Sequence, residues 1–335
     1  MSGAALRTRT QPTAAWREIQ APVQERREAV VLEMRRVVTA DQPLIEQVSS
    51  HLLQIRGKMF RPTLALLASE TAETPDERVV TLAAVLELMH LASLVHDDSV
   101  DHSALRRGLP TVNSLFSHQV SVIMGDFLYS RALEALVSLG DLDLMRVLTH
   151  VSTQLTIGEM RQLAAVDTLA FTVEDYDMLI QAKTASLLSA ACETGAMCGA
   201  IQHRRALRLY GERLGMAFQV ADDILDYTET ASVTGKPSGL DLKEHKVTLP
   251  LIAALPRLSR SDRGVVDALF AMDAPGDAQV AEVVALVARH GGIDDARRRG
   301  EQFAREAEDA LDRLPDTQAR TALADAILYV MDRRS

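Results

Sequence analysis

Aromatic residues are scarce in this sequence, where Phe, Trp and Tyr together make up 4% of 335 residues. Its hydrophobic core must therefore be built from Ala, Leu, Val, Ile and Met. Ala and Leu are strong helix formers, whereas aromatic and β-branched residues are typical of strands. The composition therefore predicts an all-α protein, and the hydrophobic fraction of 47% excludes a disordered chain.

Cysteine is almost absent, since the chain has only Cys192 and Cys198. Two cysteines exclude a disulfide-rich scaffold. Their spacing of six residues fits neither a CxxC redox motif nor a metal site. We therefore predict small buried thiols in a reducing compartment, and we expect a cytoplasmic protein.

Positive charge is also in short supply, because 36 Lys and Arg face 46 Asp and Glu and give a net charge of −10. Nucleic-acid binding is disfavoured, since phosphate contacts need clustered basic residues. An acidic protein can still bind phosphorylated small molecules through divalent cations. We find no apolar run of the roughly 20 residues that span a bilayer, so we predict no transmembrane segment. We expect residues 1–14 to form a flexible tail and residues 15–335 to form a single domain.

From about residue 14 onwards, apolar residues recur with helical spacing in one segment after another. The pattern predicts roughly a dozen helices or more and no convincing strand. One long connection, residues 228–246, is rich in glycine, proline and small polar residues. A breaker-rich segment of this length in a compact helical protein is a candidate functional loop.

The pattern DDxxD occurs twice, as DDSVD at 97–101 and as DDILD at 222–226. Each copy ends a long apolar helix, where carboxylates repel one another across one turn and oppose the helix dipole. A solvated, frayed helix end would explain one such cluster. Two clusters beside basic residues favour a compensating cation, and hard oxygen ligands select Mg²⁺.

Basic residues accompany both acidic motifs. Lys183 lies within a mostly apolar helix, where an unpartnered ammonium group is costly to bury. Arg binds phosphate through its planar fork and Lys as a point charge. Although some of these residues could be solvated surface charges, together with the acids they indicate a diphosphate substrate. The candidates are Lys58, Arg61, Arg106, Arg107, Lys183, Lys236 and Lys246.

Seven ordered segments resemble the trans-isoprenyl diphosphate synthases, the polyprenyl synthetase family, and most closely its long-chain bacterial members. They are GKMFRP, ELMHLASLVHDDSVDHSALRRGLPTVN, MGDFLYSRA, GEMRQL, KTASLL, FQVADDILDY and GKPSGLDLKEHKVTLPLI. The resemblance implies the isoprenoid synthase fold, a bundle of ten or more helices around a central cavity, and a homodimer. It also implies a trans-prenyltransferase reaction. An allylic diphosphate ionises, the C4 carbon of isopentenyl diphosphate attacks the allylic cation, and the departing diphosphate removes a proton.

The resemblance also implies roles for individual acidic residues. Asp97 and Asp101 would bind two Mg²⁺ ions. Asp222 would bind a third, with Asp226 acting through water. Asp98 and Asp223 would support these ligands. The expected metal site for three Mg²⁺ ions therefore comprises Asp97, Asp98, Asp101, Asp222, Asp223 and Asp226.

For the two substrates, the resemblance assigns basic and polar side chains to separate sites. Thr184 and Gln219 would place a hydroxyl and a carbonyl group beside the developing cation. Without the resemblance, His90 would be a buried structural histidine and Gln219 a buried amide. The allylic diphosphate would be held by Arg106, Lys183, Lys236 and Lys246. Isopentenyl diphosphate would be held by Lys58, Arg61, His90 and Arg107.

Product length depends, in this family, on the residues one and two turns before the first DDxxD motif. Short-chain enzymes commonly carry a bulky aromatic residue where this chain has Ala92 or Ser93, preceded by Met89 and Leu88. Since one helical turn of about 5.4 Å is close to one isoprene unit, we predict a product of about thirty to fifty carbons. The alternative is a geranylgeranyl or farnesyl diphosphate synthase, in which residues around Met124 and Phe127 would block the tunnel. Such a long apolar product implies a transient contact with a membrane during release.

Two hypotheses from other classes compete with a synthase. A class I terpene cyclase also has an aspartate-rich helix end, but its second metal motif is normally of the NSE/DTE type. A non-catalytic partner subunit of a heteromeric synthase tends to lose its metal-binding aspartates. Both DDxxD motifs are intact in this sequence, and this favours the synthase.

Overall fold

The computed structural model describes residues 15–55, 57–72, 75–164, 168–228 and 239–332. These residues form a helical bundle, as the composition predicts. The predicted tail at 1–14 lies outside the described residues. The first half of the bundle comprises α1 (Trp16–Gln20), α2 (Gln24–Val38), α3 (Pro43–Ile55), α4 (Phe60–Ser69), α5 (Arg78–Val100), α6 (Val112–Leu115), α7 (His118–Ser138) and α8 (Leu142–Ala164).

The second half contains the other acidic motif and a cluster of shorter helices. Short 3₁₀ turns, among them Ala21–Val23 and Leu255–Arg257, connect several helices of the bundle. The helices are α9 (Val173–Ile180), α10 (Ser186–Met197), α11 (Arg204–Thr228), α12 (Leu240–Lys243), α13 (Leu249–Ala254), α14 (Arg260–Phe270), α15 (Asp277–Arg289), α16 (Gly292–Leu311) and α17 (Gln318–Met331).

Local sequence explains where the helices near the site begin. The Thr172 hydroxyl accepts from the Asp175 backbone N–H at 3.1 Å, and the Asp175 carboxylate accepts from the Thr172 N–H at 3.1 Å. This reciprocal pair is the capping box that the sequence predicts at the start of α9. Ser117 caps α7 in a similar way, by accepting from the Val120 N–H at 3.2 Å.

A π-helical turn, Gln181–Ala185, interrupts the single helix that the apolar spacing predicts between residues 173 and 197. It separates α9 from α10 and carries Lys183 and Thr184. Single π-turns within α-helices occur frequently at functional sites. Apolar periodicity cannot reveal such a turn, because one inserted residue leaves the pattern on either side unchanged.

A two-stranded antiparallel hairpin corrects the prediction that the chain has no strand. It pairs β1 (Leu105–Arg106) with β2 (Leu109–Pro110). At its turn Arg107 has φ 52° and Gly108 has φ 76°, and positive φ at both central residues is the geometry of a type I′ hairpin. The hairpin holds Arg106 and Arg107 beside the end of α5.

The packing places α5 and α11, the helices that end in DDxxD, within the bundle. Helix α5 packs mainly on α7, and α11 packs on α10 and α16. Close approach between α10 and α4 depends on Gly195, where an added Cβ would lie 2.2 Å from the Ala65 carbonyl oxygen. Since Cβ atoms essentially never approach so closely, any other residue at 195 would push the two helices apart.

Helix α5 is long and apolar enough, by length and composition, to cross a membrane. The sequence-based statement that no apolar run reaches this length is therefore too strong. In the structure, however, 67% of its most apolar window is buried inside the protein, as in the core helix of a bundle. Both cysteines are buried and free, as predicted.

Candidate active site

The first acidic motif closes the C-terminal end of α5. Asp97 is half-buried, Asp98 is buried, and Asp101 is exposed and follows the last helical residue. Both carboxylate oxygens of Asp98 accept from Arg106 Nε at 2.8 Å, and one also accepts from Arg106 Nη2 at 2.7 Å. Asp98 is therefore engaged with the hairpin through Arg106.

The Asp97 carboxylate lies in a crowded anionic environment. Burial raises its pKa to about 6, and the nearby Glu159 and Asp101 carboxylates add to this shift, although Lys183 acts in the opposite direction. A cation bound nearby would favour the ionised form of the Asp97 side chain and lower its raised pKa. This is the electrostatic setting that a cation-binding helix end requires.

The second acidic motif closes α11, and the chain folds back onto it. Asp226 accepts from the backbone N–H groups of Leu240 and Asp241, both at 3.0 Å. These bonds hold α12 against the end of α11 and bring Asp241 into the acidic group. Burial and the neighbouring Asp226 carboxylate raise the pKa of Asp241 to about 7. Asp241 lies in the segment GLDLKEHK, but no spacing rule singled it out.

Asp222 and Asp223 are adjacent in the sequence but differ in exposure to solvent. Asp222 is exposed at the helix end, whereas Asp223 is buried. Burial raises the pKa of Asp223 to about 8, and the nearby Asp241 carboxylate adds to the shift. Asp223 accepts hydrogen bonds from Tyr176 and Gln219, so its oxygens already have protein partners.

The oxygen donors at the two helix ends fit Mg²⁺ in kind. Within the part of the chain that the structure describes, no three His, Cys, Asp or Glu side chains are arranged to hold a metal by themselves. Mg²⁺ is typically held by one or two carboxylates together with substrate phosphates and water. The carboxylates of Asp97, Asp101 and Asp222 therefore suit ions that also bind a phosphorylated substrate.

Three of the four cations predicted to hold the allylic diphosphate have acidic partners in this structure. Lys183 Nζ lies 2.7 Å from Glu159 and donates to Gln162 at 3.1 Å. Lys246 Nζ donates to Glu244 at 2.6 Å, and Arg106 is paired with Asp98. A phosphate group would therefore compete with carboxylates for these cations. The fourth predicted cation, Lys236, lies outside the described residues.

Lys246 is close enough to acids at both helix ends for their charges to affect it. Burial lowers its pKa, but the hydrogen-bonded Glu244 carboxylate and the nearby Asp101 and Asp241 outweigh burial, and the pKa is raised. Asp101 follows α5, whereas Asp241 is held to α11 through Asp226. The Lys246 ammonium group therefore interacts electrostatically with acids beside both motifs.

A second cluster of charges lines a cavity beside α5. Its lining includes Glu87, His90, Arg106 and Arg107. Burial lowers the pKa of Arg61 to about 10, and the Arg107 guanidinium also lowers it, although Glu87 acts in the opposite direction. Burial lowers the pKa of His90 well below its usual range, and the neighbouring arginines add to the shift. His90 is therefore a neutral imidazole beside a group of cations.

Gly57 accounts for the position of Arg107. A Cβ at residue 57 would lie 2.3 Å from an Arg107 guanidinium nitrogen. Only glycine lets the guanidinium lie against this part of the GKMFRP segment. The structure thus places Arg61, His90 and Arg107 close to one another.

Lys58 is directed elsewhere. Its ammonium group donates to the Tyr329 hydroxyl at 2.5 Å and lies 5.2 Å from the centre of that ring. Its carbonyl oxygen accepts from Trp16 and Gln20, both at 2.9 Å. Lys58 therefore links the first and last helices, and its predicted role in substrate binding requires it to leave Tyr329.

Thr184 and Gln219 are adjacent, as the prediction requires. The Thr184 hydroxyl donates to Gln219 Oε1 at 2.8 Å. Gln219 Nε2 donates to Asp223 Oδ1 at 2.8 Å, and the Tyr176 hydroxyl donates to Asp223 Oδ2 at 2.5 Å. The π-turn and the second acidic motif are thereby joined through one partly buried hydrogen-bond chain.

The predicted chain-length residues lie on α5, on the side turned to α7. Met89 and Ala92 are buried, and Ser93 is half-buried with its hydroxyl bonded to the His90 carbonyl oxygen at 2.8 Å. One turn beyond Ala92, the His96 ring packs against Gly125 of α7, where an added Cβ would lie 2.2 Å from Nε2. Residues spaced by four share a helix face, so Ala92 also faces α7.

Sequence reasoning assigned no role to Glu87, Glu159, Tyr176 or Asp241, all of which contact or surround predicted site residues. One signal was available for Glu159. A lysine within an apolar helix needs an acidic partner, and the segment GEMRQL supplies a glutamate. Nothing in the spacing pointed to Tyr176, because it reaches Asp223 across 47 residues of chain.

Two acidic helix ends with Arg and Lys side chains nearby, in an all-α bundle, are typical of an enzyme for phosphorylated substrates. Residues 42–287 match the family described as Polyprenyl synthetase. The all-trans-nonaprenyl-diphosphate synthase (geranyl-diphosphate specific) of Rhodobacter capsulatus is 36% identical over 318 residues, 94% of this chain and 97% of that protein. The chain belongs to the polyprenyl synthetase family, and it is a prenyltransferase.

Solved structures agree with this assignment. The decaprenyl diphosphate synthase of Rhodobacter capsulatus superposes with a TM-score of 0.90 at 34% identity, over 96% of this chain and 100% of that one. A polyprenyl synthase of Caulobacter crescentus, solved with calcium and isoprenyl diphosphate, also gives 0.90, at 31% identity over 97% and 100%. The predicted family and isoprenoid synthase fold are confirmed.

Proposed function

We propose that the protein condenses isopentenyl diphosphate with an allylic diphosphate and extends it to a polyprenyl diphosphate of about thirty to fifty carbons, the length argued from the helix rise. The observation that carries this proposal is the position of Lys246, which interacts with Asp101 beyond α5 and with Asp241 beside α11. Such a shared site suits one diphosphate approached by both acidic ends. The long-chain names of the relatives favour this product over geranylgeranyl or farnesyl diphosphate.

Mg²⁺ is the cofactor that we assign, with three ions per site. Asp97 and Asp101 would hold two of them and Asp222 the third, with Asp226 acting through water. When bound, the ions would supply positive charge that stabilises the leaving diphosphate. The calcium and isoprenyl diphosphate bound by the Caulobacter crescentus enzyme support this assignment.

The chain's own residues would act on the two substrates as follows. Lys183, Arg106 and Lys246 would exchange their carboxylate partners for oxygens of the allylic diphosphate, with Lys236 as the fourth cation. Because ionisation increases the negative charge on the leaving group, these cations stabilise the transition state more than the ground state. The departing diphosphate would then accept the proton that condensation releases.

Isopentenyl diphosphate would bind beside α5, at the cluster that contains Arg61, His90 and Arg107. Arg61, Arg107 and Lys58 would bind its diphosphate, and neutral His90 would donate a hydrogen bond without adding charge. The Thr184 and Gln219 oxygens would face the developing cation. An apolar surrounding would exclude water, which would otherwise quench that cation.

A direct assay tests the proposal. Purified protein incubated with farnesyl diphosphate, isopentenyl diphosphate and Mg²⁺ should give elongated prenyl diphosphates, measured by chromatography after dephosphorylation. Chelation of the metal should reduce turnover by at least about a thousandfold, because the leaving-group charge would lose its main stabilisation. Restored Mg²⁺ should restore activity.

The same assay separates the competing hypotheses. A cyclic hydrocarbon formed from farnesyl diphosphate alone would indicate a terpene cyclase. No turnover in Mg²⁺ would contradict the proposal and favour a non-catalytic partner subunit. Products no longer than geranylgeranyl diphosphate would retain the reaction and overturn only the predicted product length.

We further propose that two copies associate through α7 and α8. These helices expose Ile123, Met160 and Leu163, each at least 60% exposed, together with the partly exposed Val122 and Ile157. Exposed apolar side chains grouped on neighbouring elements are typical of interaction surfaces. Association would bury this surface beside α5, the helix that carries the predicted chain-length residues. It would leave the active site of each copy intact. We expect this dimer in the cytoplasm, with transient membrane contact during product release.

The dimer has its own test. Ile123→Glu combined with Met160→Glu should convert a species of twice the chain mass into a monomer, measured by light scattering after size-exclusion chromatography. Leu32→Glu is the matched control, because Leu32 is also 66% exposed but lies on α2. It should leave the mass unchanged. A double variant that keeps the wild-type mass would contradict the assigned surface.

A further inference from the structure

A tyrosine with no assigned role ends the hydrogen-bond chain that begins at the π-turn. Tyr176 is 2% exposed, and Asp223, its partner, is 5% exposed. The two carboxylate oxygens of Asp223 are divided between two donors, with Oδ2 bonded to Tyr176 and Oδ1 bonded to Gln219. The tyrosine hydroxyl therefore determines which oxygen remains for the glutamine amide.

The amide of Gln219 has one orientation in this arrangement. Its NH₂ group donates to Asp223 Oδ1, and its carbonyl oxygen therefore faces the Thr184 hydroxyl. If Asp223 were free to rotate, this constraint on the amide would weaken. Asp223 is also adjacent to Asp222, so a freed carboxylate would have an alternative interaction at the metal side of the helix end.

Tyr176 itself is held firmly to the scaffold. Its backbone N–H donates to the Thr172 carbonyl oxygen at 3.0 Å, within the capped first turn of α9. The next residue, Asp177, forms an ion pair with Arg299 of α16. The backbone that carries the ring is thus held within α9 and, through the next residue, against α16.

We propose that Tyr176 is a positioning residue for the Thr184–Gln219 pair. Its hydroxyl fixes the Asp223 carboxylate, the carboxylate fixes the Gln219 amide, and the amide presents its carbonyl oxygen on the side of Thr184. This inference rests on the proposed function, because it gives the pair its role beside the developing cation. Tyr176 contacts no group that we assign to substrate binding, so its effect should be on kcat rather than on KM.

The test is Tyr176→Phe in the full-length enzyme. Loss of one hydrogen bond to a carboxylate should lower kcat by about tenfold, with the KM for each diphosphate within about twofold of wild type. Tyr210→Phe is the matched control, because Tyr210 is equally buried and its hydroxyl donates to the Leu323 carbonyl oxygen at 2.7 Å. This control removes a buried tyrosine hydrogen bond outside the described site, and it should leave kcat unchanged.

Asp223→Asn provides an independent arm. An asparagine has one acceptor oxygen in place of two, so it cannot accept from both Tyr176 and Gln219 as the Asp223 carboxyl group does. The same loss of kcat is expected, and adding Tyr176→Phe to Asp223→Asn should have no further effect, because the two residues act in series.

Three results would overturn the inference: full kcat in Asp223→Asn, full kcat in a folded Tyr176→Phe enzyme, or losses that multiply in the double variant. The inference would also be overturned if Tyr176→Phe lowered kcat no more than the control Tyr210→Phe does. Wild-type protein that makes no elongated product would instead overturn the proposed function, so the two failures are distinguishable. Circular dichroism of each variant identifies the folded ones, and Asp223→Asn decides the question if Tyr176→Phe does not fold.

Discussion

Asp97→Asn is expected to lower kcat/KM for condensation by at least about a thousandfold while making the substrate-free protein more stable. The amide keeps the size of the carboxyl group and removes the charge that would hold Mg²⁺. In the absence of metal, that charge is unfavourable, because it lies at the C-terminal end of α5 and beside Glu159 and Asp101. We expect a gain of about 0.5 kcal/mol in the free energy of unfolding.

A substitution that lowers activity but raises stability identifies a functional carboxylate, whereas loss of a structural carboxylate lowers stability. Asp143→Asn is the control, because Asp143 lies in the first turn of α8, where negative charge favours the helix dipole, and pairs with Arg146. It should leave turnover unchanged and slightly lower the thermal midpoint. The proposed role of Asp97 would be wrong if Asp97→Asn kept its activity, or if it lost stability as Asp143→Asn does.

The fold and the acidic motifs were predictable because their signals are local. Apolar spacing located α5 and α11, and two DDxxD patterns at helix ends violate the rules of helix stability unless a cation is present. The capping box at Thr172 was likewise visible, because its two residues are three apart. In each of these features, the interacting residues are only a few positions apart, so a short stretch of sequence is enough to recognise them.

The remaining features depend on contacts between distant parts of the chain. The Tyr176–Asp223 bond joins two helices, and the Lys58–Tyr329 bond joins residues 271 positions apart. The π-turn and the hairpin at 105–110 arise from tertiary packing and backbone geometry, which apolar periodicity does not encode. Acidic partners such as Glu159 become recognisable only when the helix that carries them is placed beside Lys183.

Ala92→Tyr is expected to shorten the products from about thirty to fifty carbons to about fifteen to twenty, because Ala92 lies about 7.5 Å of helix rise before Asp97. Ala92 is buried on the face of α5 that also carries His96, and His96 packs on Gly125 of α7. A phenol ring there would occupy the path that the prediction gives to the growing chain. Asp97 and Lys183 are unchanged, so the early condensations should proceed at near wild-type rates.

A graded series makes this prediction sharper than one substitution would. Ala92→Leu adds less volume than Ala92→Tyr and should give products of intermediate length, measured by chromatography against prenyl alcohol standards. Inserting a large side chain into a packed position costs about 1–3 kcal/mol, so thermal unfolding of each variant identifies those that remain folded. If folded Ala92→Tyr enzyme still makes the wild-type products, the chain does not grow along this face of α5. The length determinant would then have to lie on another helix.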